Sequence, residues 1–439
     1  MTLIPRLARL LAGIYYRLRE EGGRIPPSGP VLVVANHPNS LLDPALVLAV
    51  ARRPVRFLAK APLFEDPKVA WLVRLGGAIP VYRRQDDPDQ VERNDEMFRA
   101  VHAALAAGDA VGLFPEGISH SAASLAPLRT GAARIALGAL PSTGARFPIV
   151  PVGLVFRAKD RFRSEALVLV GDPVPWDDLG EGGAEDPAAV RRLTERIDSA
   201  LRALTVNLEH WQDLPAVETA VAIWDASRAG RPEPGGSVGR LGITAQVLAR
   251  VRREADAEGL ALATEVARFG ERLARLGLRP ADLAADTSIA RGVRWTAARL
   301  PLVLPLGIVL ALTGWLLFLV PYHLTGTLVD RLPLEADTRS TWKAMVGAVI
   351  YLAWLVAVAV ALVWLGHPWW GVASLALLPA IGMSGLRVRE RWRGAWQDAR
   401  RFLLLRSRAS LVAALAERQH ELAGRLARLL DRLPPVDLR

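Results

Sequence analysis

Apolar and polar positions alternate in two different ways along this chain. From residue 30 to about 175, short runs of aliphatic and β-branched residues are separated by stretches with helical spacing. The runs VLVVAN (31–36), VRFLAK (55–60), AIPVY (78–82), AVGLF (110–114), IVPVGLVF (149–156) and ALVLVG (166–171) predict strands. Helices are expected between them, near 41–51, 67–75, 90–107 and 130–139. This alternation predicts an α/β unit, a mostly parallel sheet flanked by helices, with functional groups gathered at the carboxyl ends of the strands. The turn-rich GDPVPWDDLGEGGAEDP (171–187) closes the unit. A helix is expected over 188–209, and residues 216–295 have a helical pattern broken at RAGRPEPGGS (228–237).

Further on, the polar positions vanish. Leu300–Val320 has no charge in 21 positions and Ala344–Leu386 none in 43. A bilayer core takes about 20 helical residues, so the second stretch is long enough to cross twice. Its reversal is expected at GHPWWG, where Pro368 breaks the helix and the tryptophans suit an interface. Buried helices of a soluble core are the alternative, and 43 uncharged positions in a row weigh against it. Arg291, Arg294 and Arg299 precede the first segment, and Arg387, Arg389, Arg391, Arg393, Arg400 and Arg401 follow the second. The positive-inside rule places both flanks on the cytoplasmic face, which requires an even number of crossings. Ala344–Leu386 is therefore expected to be a hairpin. Leu300–Val320, with Pro301, Pro305 and Pro321, is expected to be re-entrant or to lie partly in one leaflet.

At the start of the chain, Leu7, Leu10, Leu11, Ile14 and Tyr15 recur at helical spacing, with Arg6, Arg9, Arg17 and Arg19 between them. This predicts an interfacial amphipathic helix over 1–25 rather than a signal peptide; a helix docked on its own domain fits the pattern equally. In the basic tail over 391–439, Leu411, Leu415, Leu422, Leu426, Leu429 and Leu433 have heptad-like spacing. That permits a coiled coil and a homodimer, a helix on the membrane, or a helix packed on its neighbours.

Net charge is +11, and only four of the 55 basic residues are lysines, Lys60, Lys68, Lys159 and Lys343. The balance suits an anionic membrane surface or nucleic acid. The apolar segments favour the membrane, and no basic face interleaved with aromatics supports nucleic acid. The absence of cysteine excludes disulfides, thiol nucleophiles and cysteine metal sites. His102, His210, His323, His367 and His420 have no metal-ligand companions at useful spacing, and no GxxxxGK[ST] loop is present. No metal or cofactor is expected.

Chemistry is concentrated in four stretches. In NHPNSLLDP (36–44), Asn36 and His37 leave a strand and Asp43 follows six positions after the histidine. Ser40 and Asp43 have capping-box spacing for a helix starting at Leu41. If the intervening turn brings Asp43 to His37, a carboxylate fixes the imidazole tautomer and frees the other nitrogen to take a proton; otherwise the two are a turn histidine and a capping aspartate. GGAIPVYRR (76–84) ends a strand with Arg83 and Arg84, which suit phosphate or simple solvation. LFPEGISH (113–120) places Glu116 and Gly117 at a strand end, which suits a site or a β-turn with a solvated glutamate; His120 borders that site or is a plain turn residue. VPVG (150–153) reads as a strand lining a cleft.

Together, and in this order, Asn36-His37…Asp43, Gly77…Arg83, Phe114-Pro115-Glu116-Gly117 and Val150-Pro151 resemble the motifs of the glycerophospholipid acyltransferase family, over about residues 28–175. Most members have four residues between the histidine and the aspartate, and this chain has five, PNSLL. The longer spacer, and FPEGISH followed by LAPLRTGAARIAL, are similar to the branch of yeast-type glycerol-3-phosphate/dihydroxyacetone-phosphate acyltransferases and its bacterial relatives, which carry the same kind of membrane region after the catalytic unit. The resemblance implies a glycerol-3-phosphate acyltransferase-like domain over 26–215. A helical linker (216–295), a membrane region (296–390) and the basic tail would follow. It implies His37 as general base and Asp43 as its orienting partner. The family's glycine–arginine and Phe-Pro-Glu-Gly motifs assign the glycerophosphate to Asn36, Gly77, Arg83 or Arg84, Glu116 and Gly117, with Lys60 and Arg129 as further phosphate candidates and backbone N–H groups near Gly117 as oxyanion donors.

The implied reaction is O-acyl transfer from acyl-CoA or acyl carrier protein, as co-substrate, to glycerol 3-phosphate, in phosphatidate and phospholipid synthesis. The alternative acceptor is 1-acyl-glycerol 3-phosphate (lysophosphatidic acid). The competing reading of another class is a non-catalytic membrane protein that binds anionic lipid.

Overall fold

A seven-stranded sheet organises the first half of the chain in a computed structural model that describes residues 3–83, 92–179, 182–227, 236–285 and 305–433. Its strands are β1 (Arg17–Gly22), β2 (Val31–Ala35), β3 (Val55–Lys60), β4 (Ile79–Val81), β5 (Ala110–Leu113), β6 (Ile149–Phe156) and β7 (Glu165–Val170), in the spatial order β1-β7-β6-β2-β5-β3-β4. Every neighbouring pair is parallel except β6–β7. Helices α1 (Leu3–Tyr15), α2 (Leu42–Ala51), α3 (Ala70–Leu75), α4 (Asn94–Ala106), α5 (Gly131–Thr143) and α6 (Pro187–Leu204) accompany it. The expected mostly parallel α/β unit is thus present.

Central β2 shows why the apolar runs are continuous. Leu32 and Val34 enter the cluster formed with α4, α5 and α6, whereas Val31 and Val33 enter the one formed with α1 and α2. A strand buried on both faces has no place for a polar residue. The VPVG stretch is likewise buried, and it does not line the large cavity described below. Its glycine serves packing: a β-carbon on Gly153 would lie 2.2 Å from the Leu204 carbonyl oxygen at the end of α6. Backbone cannot yield as a side chain does. We therefore expect Gly153→Ala to destabilise the fold by about 1–3 kcal/mol, read as a lowered thermal unfolding midpoint.

The first 25 residues do not form one helix. α1 ends at Tyr15, and RLREEG becomes edge strand β1, parallel to β7. Its charges conceal it in the sequence, yet they suit an edge: Arg17 and Arg19 both approach Glu165 on β7. α1 is docked on its own domain and also keeps an exposed apolar face. It buries Ala8, Ala12 and Tyr15 and leaves Leu3, Leu7, Leu10 and Leu11 exposed.

A second, helical unit contains α7 (Leu214–Ser227), α8 (Gly236–Arg253) and α9 (Ala257–Leu276). Three long helices follow: α10 (Pro305–Asp330), α11 (Arg339–Trp364) and α12 (Pro368–Ser407); the last helix is α13 (Ala409–Arg432). α10, α11 and α12 are each long and apolar enough to cross a membrane. The chain reverses between α11 and α12 at Gly366, φ 85°, as GHPWWG predicted. Within residues 305–330 the chain does not reverse: α10 is one continuous helix through Pro321. Pro301 lies outside the described residues. The expected boundary at 390 also moves, because α12 continues unbroken to Ser407.

The tail leucines are neither a free coiled coil nor a membrane face. Leu415 and Leu422 are buried against Ile223 of α7 and Leu262 and Val266 of α9. Glu265 accepts hydrogen bonds from Arg418 and Arg425, both at 2.6 Å. The heptad-like face that could have joined two copies is therefore partnered within the chain.

Candidate active site

β2 and β5 are parallel neighbours, so the turns leaving their carboxyl ends lie side by side. β2 runs into Asn36 and His37, and β5 into Phe114–Gly117; β3 ends at Lys60 and Arg83 follows β4. Parallel pairing thus collects residues distant in sequence at one edge of the sheet.

His37 Nδ1 is 2.8 Å from Asp43 Oδ2, and the same oxygen accepts the Asn39 N–H at 2.7 Å. The turn that joins them passes through Ser40 in the left-handed region, φ 50°. The expected capping box does not form. No side chain caps α2, and the Ser40 N–H donates to Ser119 Oγ at 3.1 Å. Asp43 faces the imidazole instead. It is fully buried, and burial pushes its carboxyl above the usual range, opposed first by the hydrogen bond with His37. With Nδ1–H donated to the carboxylate, Nε2 is left to accept a proton. The ring lies flat on Phe114, centroids 4.0 Å apart and planes 9° apart, with Phe57 stacked on Phe114 at 5.5 Å. These contacts fix the plane in which Nε2 lies.

Glu116 does something other than expected. It is buried and does not line the cavity. Its Oε1 accepts the His37 backbone N–H at 2.8 Å; Oε2 accepts the Ala126 N–H at 2.8 Å and bonds to His120 Nε2. The His120 N–H donates to the His37 carbonyl at 3.2 Å. Glu116 therefore holds the histidine's backbone rather than a ligand. Asn36 is also engaged: Oδ1 accepts the Leu154 N–H at 2.7 Å and Nδ2 donates to the Leu154 carbonyl at 3.0 Å, which extends the β2–β6 ladder past the end of β2. Gly77, φ 66°, forms the turn before β4, and its carbonyl accepts Arg56 Nε at 3.1 Å, off the cavity wall.

Arg83, Gly117, Arg129 and Lys60 all line the cavity that His37 also lines. Arg83 Nη1 donates to the Gly117 carbonyl at 2.7 Å. Gly117, φ 73°, packs against the Arg129 side chain, which a β-carbon would approach to 3.4 Å. Its own N–H donates to the Phe114 carbonyl at 3.0 Å, so that amide is not open to an oxyanion. Arg84 lies outside the described residues. The cavity, about 3570 Å³, has this basic end and apolar walls from Leu48, Phe57 and Leu72 to Trp315, Phe318 and Tyr351 of the long helices. Such a space takes an anion beside the imidazole and a hydrocarbon chain along the walls. Among the described residues no group of three or more His, Asp or Glu side chains could hold a metal ion.

Sequence reasoning passed over Tyr16, Asn39, Ser119 and Lys159, all of which touch the histidine turn. Asn39 is buried and donates to Tyr16 Oη at 2.7 Å; Lys159 Nζ donates to the Pro38 carbonyl at 2.6 Å. The one signal for Lys159 was its rarity, as one of four lysines among 55 basic residues.

Residues 17–155 match the family model described as Acyltransferase. The chain is 32% identical over 144 residues to a Saccharomyces cerevisiae glycerol-3-phosphate O-acyltransferase, covering 32% of this chain and 19% of that protein. It is 30% identical over 159 residues to a chloroplastic 1-acyl-sn-glycerol-3-phosphate acyltransferase of Brassica napus, covering 35% of this chain and 42% of that one. The chain thus spans about a fifth of the yeast relative's length and less than half of the plant one's. The crystal structure of the 1-acyl-sn-glycerophosphate acyltransferase PlsC from Thermotoga maritima aligns with a TM-score of 0.35 at 20% identity, over 46% of this chain and 77% of that one.

Proposed function

We propose, from the match of residues 17–155 to the family model described as Acyltransferase, that the chain is a membrane-bound O-acyltransferase. It moves a fatty acyl group from acyl-CoA or acyl carrier protein to a hydroxyl of glycerol 3-phosphate. The observation that carries the reading is the His37–Asp43 pair facing a cavity with a basic end and apolar walls.

Nε2 of His37 takes the proton of the acceptor hydroxyl as its oxygen attacks the thioester carbonyl carbon. Asp43 stabilises the imidazolium that forms. The tetrahedral oxyanion collapses, the C–S bond breaks, and the imidazolium proton goes to the departing thiolate. No covalent acyl-enzyme is needed, and no cofactor or metal takes part. Arg83, Arg129 and Lys60 hold the acceptor's phosphate; Asp43, Glu116 and Asn36 hold His37 and its turn. The apolar walls take the acyl chain.

The five-residue spacer and the similarity to the yeast glycerol-3-phosphate acyltransferase favour glycerol 3-phosphate over its 1-acyl derivative. The test is thioester consumption by detergent-purified protein with each acceptor offered separately. Turnover with glycerol 3-phosphate supports the reading, turnover with the 1-acyl compound alone reassigns the acceptor, and none with either rejects it. In the active case, Arg83→Ala raises the KM for the phosphorylated acceptor about tenfold or more, with a smaller change in kcat, because a phosphate contact formed before the reaction is lost. Steady-state kinetics with varied acceptor checks this.

The same packing supports one orientation in a bilayer. Ser340 and Lys343, at the start of α11, donate to the carbonyls of Lys159 and Asp160; Glu390, on α12, pairs with Arg163. The segment 344–386 leaves from the β6–β7 loop and returns to it, as a hairpin does. α13 packs on α7 and α9, so the chain before α10 and after α12 lies on one side, the cytoplasmic one in our reading. Three complete crossings would separate these parts. α10 accordingly lies in one leaflet: the Leu310 carbonyl approaches Gly385 at one end, and Asp330 pairs with Lys343 at the other.

A further inference from the structure

The loop between β6 and β7, residues 157–164, is unexplained by the proposed chemistry, yet it touches both the histidine turn and all three long helices. Lys159 Nζ donates to the Pro38 carbonyl and to Ser121 Oγ, both at 2.6 Å. It thereby grips the turn between His37 and Asp43 and the loop that follows Glu116. The Lys159 carbonyl accepts the Tyr16 hydroxyl, which itself accepts Asn39 Nδ2 at 2.7 Å. Asn39 donates its backbone N–H to the Asp43 carboxylate. One residue thus supports the dyad's turn through its side chain and, by way of Tyr16 and Asn39, through its backbone.

The other face of the same loop belongs to the long helices. Ser340 Oγ of α11 donates to the same Lys159 carbonyl at 2.8 Å, and Lys343 Nζ approaches the Asp160 carbonyl. Phe162 packs on Tyr322 of α10, centroids 6.3 Å apart. Arg163, held at φ 60°, forms a two-pronged pair with Glu390 of α12 at 2.8 and 2.9 Å and donates to the Gly13 carbonyl at 2.6 Å. Positive φ at an arginine is unfavourable unless its surroundings hold it, and here both the carboxylate and the backbone of α1 do so.

We propose that Lys159 is a positioning residue for the His37–Asp43 pair, and that the β6–β7 loop sets the dyad's geometry from the membrane helices. The inference deepens the acyl-transfer reading and rests on it. Lys159 does not line the cavity. It acts through the Pro38 carbonyl and through its charge. The charged groups around it are Asp43 on α2, Asp160 in its own loop, Asp337 just before α11 and Lys343 near its start. Burial lowers the affinity of its amine for a proton, and these three carboxylates oppose that effect.

The test is Lys159→Met in the full-length protein, reconstituted in lipid nanodiscs and assayed with the acceptor that the wild type uses. Misplacing a catalytic group by about 1 Å costs on the order of 10²-fold. We expect kcat to fall by about that factor, with KM for both substrates nearly unchanged. The acid limb of kcat/KM should also move to higher pH, because removing a cation beside the dyad makes imidazolium formation easier. A merely structural role would lower the rate without moving that limb. Ser121→Ala, which removes one of the two acceptors of the ammonium, gives a smaller fall in kcat of the same kind and serves if the methionine variant does not fold. An active wild type with kcat and pH limb unchanged in the folded methionine variant, or with kcat unchanged in the alanine variant where that one serves, overturns the inference alone. A wild type that transfers no acyl group overturns the functional reading and the inference with it.

Discussion

His37→Ala lowers acyl transfer by about 10²–10⁴-fold, the usual contribution of a positioned general base. The protein remains folded, since the ring is at the cavity wall and the strands on either side are independent of it. The loss is not confined to chemistry. Asp43 is fully buried, and hydrogen bonding to His37 is the chief influence opposing the upward push of burial on its carboxyl. Without the imidazole the carboxylate keeps the Asn39 N–H as its one hydrogen-bond donor among the described residues. A carboxyl whose folded-state proton affinity is raised lends stability below its unfolded pKa and loses it as pH rises through the folded value. The variant should therefore be close to wild type in stability at pH 5 and less stable than wild type at pH 8. Initial rates with saturating thioester, and thermal midpoints at the two pH values, check both halves. Turnover within a few-fold of wild type would remove His37 from the mechanism.

Asp43→Asn separates catalysis from stability. The amide keeps the shape of the carboxylate and can accept the Asn39 N–H, but it cannot neutralise an imidazolium. Turned the other way, its Nδ2 would donate to Nδ1 in place of accepting the Asn39 N–H, since both contacts fall on one oxygen of the carboxylate, and would favour the tautomer with the proton on Nε2. Where an orienting aspartate is replaced in this way, the cost in kcat reaches about 10⁴-fold. Folding should move the other way. Asp43 Oδ1 is buried without a hydrogen-bond partner among the described residues, and burial of this group opposes its charge. Removing the charge lifts that cost above the carboxyl's own pKa. At neutral pH the variant should unfold at the same temperature as wild type or a higher one. Loss of activity accompanied by a marked loss of stability would mean that Asp43 is a structural anchor rather than the partner of the base.

Much of this was readable from the chain, because burial writes itself into apolar runs. VLVVA and IVPVGLVF are buried strands, and their period identified them. β1 was missed for the opposite reason. An edge strand carrying RLREEG has no buried face to impose a pattern. The dyad was legible as a motif, but its geometry depends on Ser40 adopting positive φ, which no residue preference announces. Glu116 and Asn36 were expected to bind substrate because they stand in the motifs that the family resemblance assigns to the glycerophosphate. Spacing cannot show that the backbone around His37, and Leu154 of β6, already use their hydrogen-bonding atoms. Lys159 lies 121 positions from Pro38, in a loop with no motif, and only the β6–β7 hairpin brings it to the dyad.

The nitrogen-15 spectrum of the His37 side chain, assigned by comparison with His37→Ala, asks most directly whether a carboxylate holds the imidazole with its reactive nitrogen bare. In neutral, unliganded protein the account requires a protonated Nδ1 and an unprotonated Nε2, a preference that weakens in Asp43→Asn. An imidazole protonated at Nε2 with Nδ1 bare, or one whose tautomer does not respond to the aspartate's replacement, would contradict it.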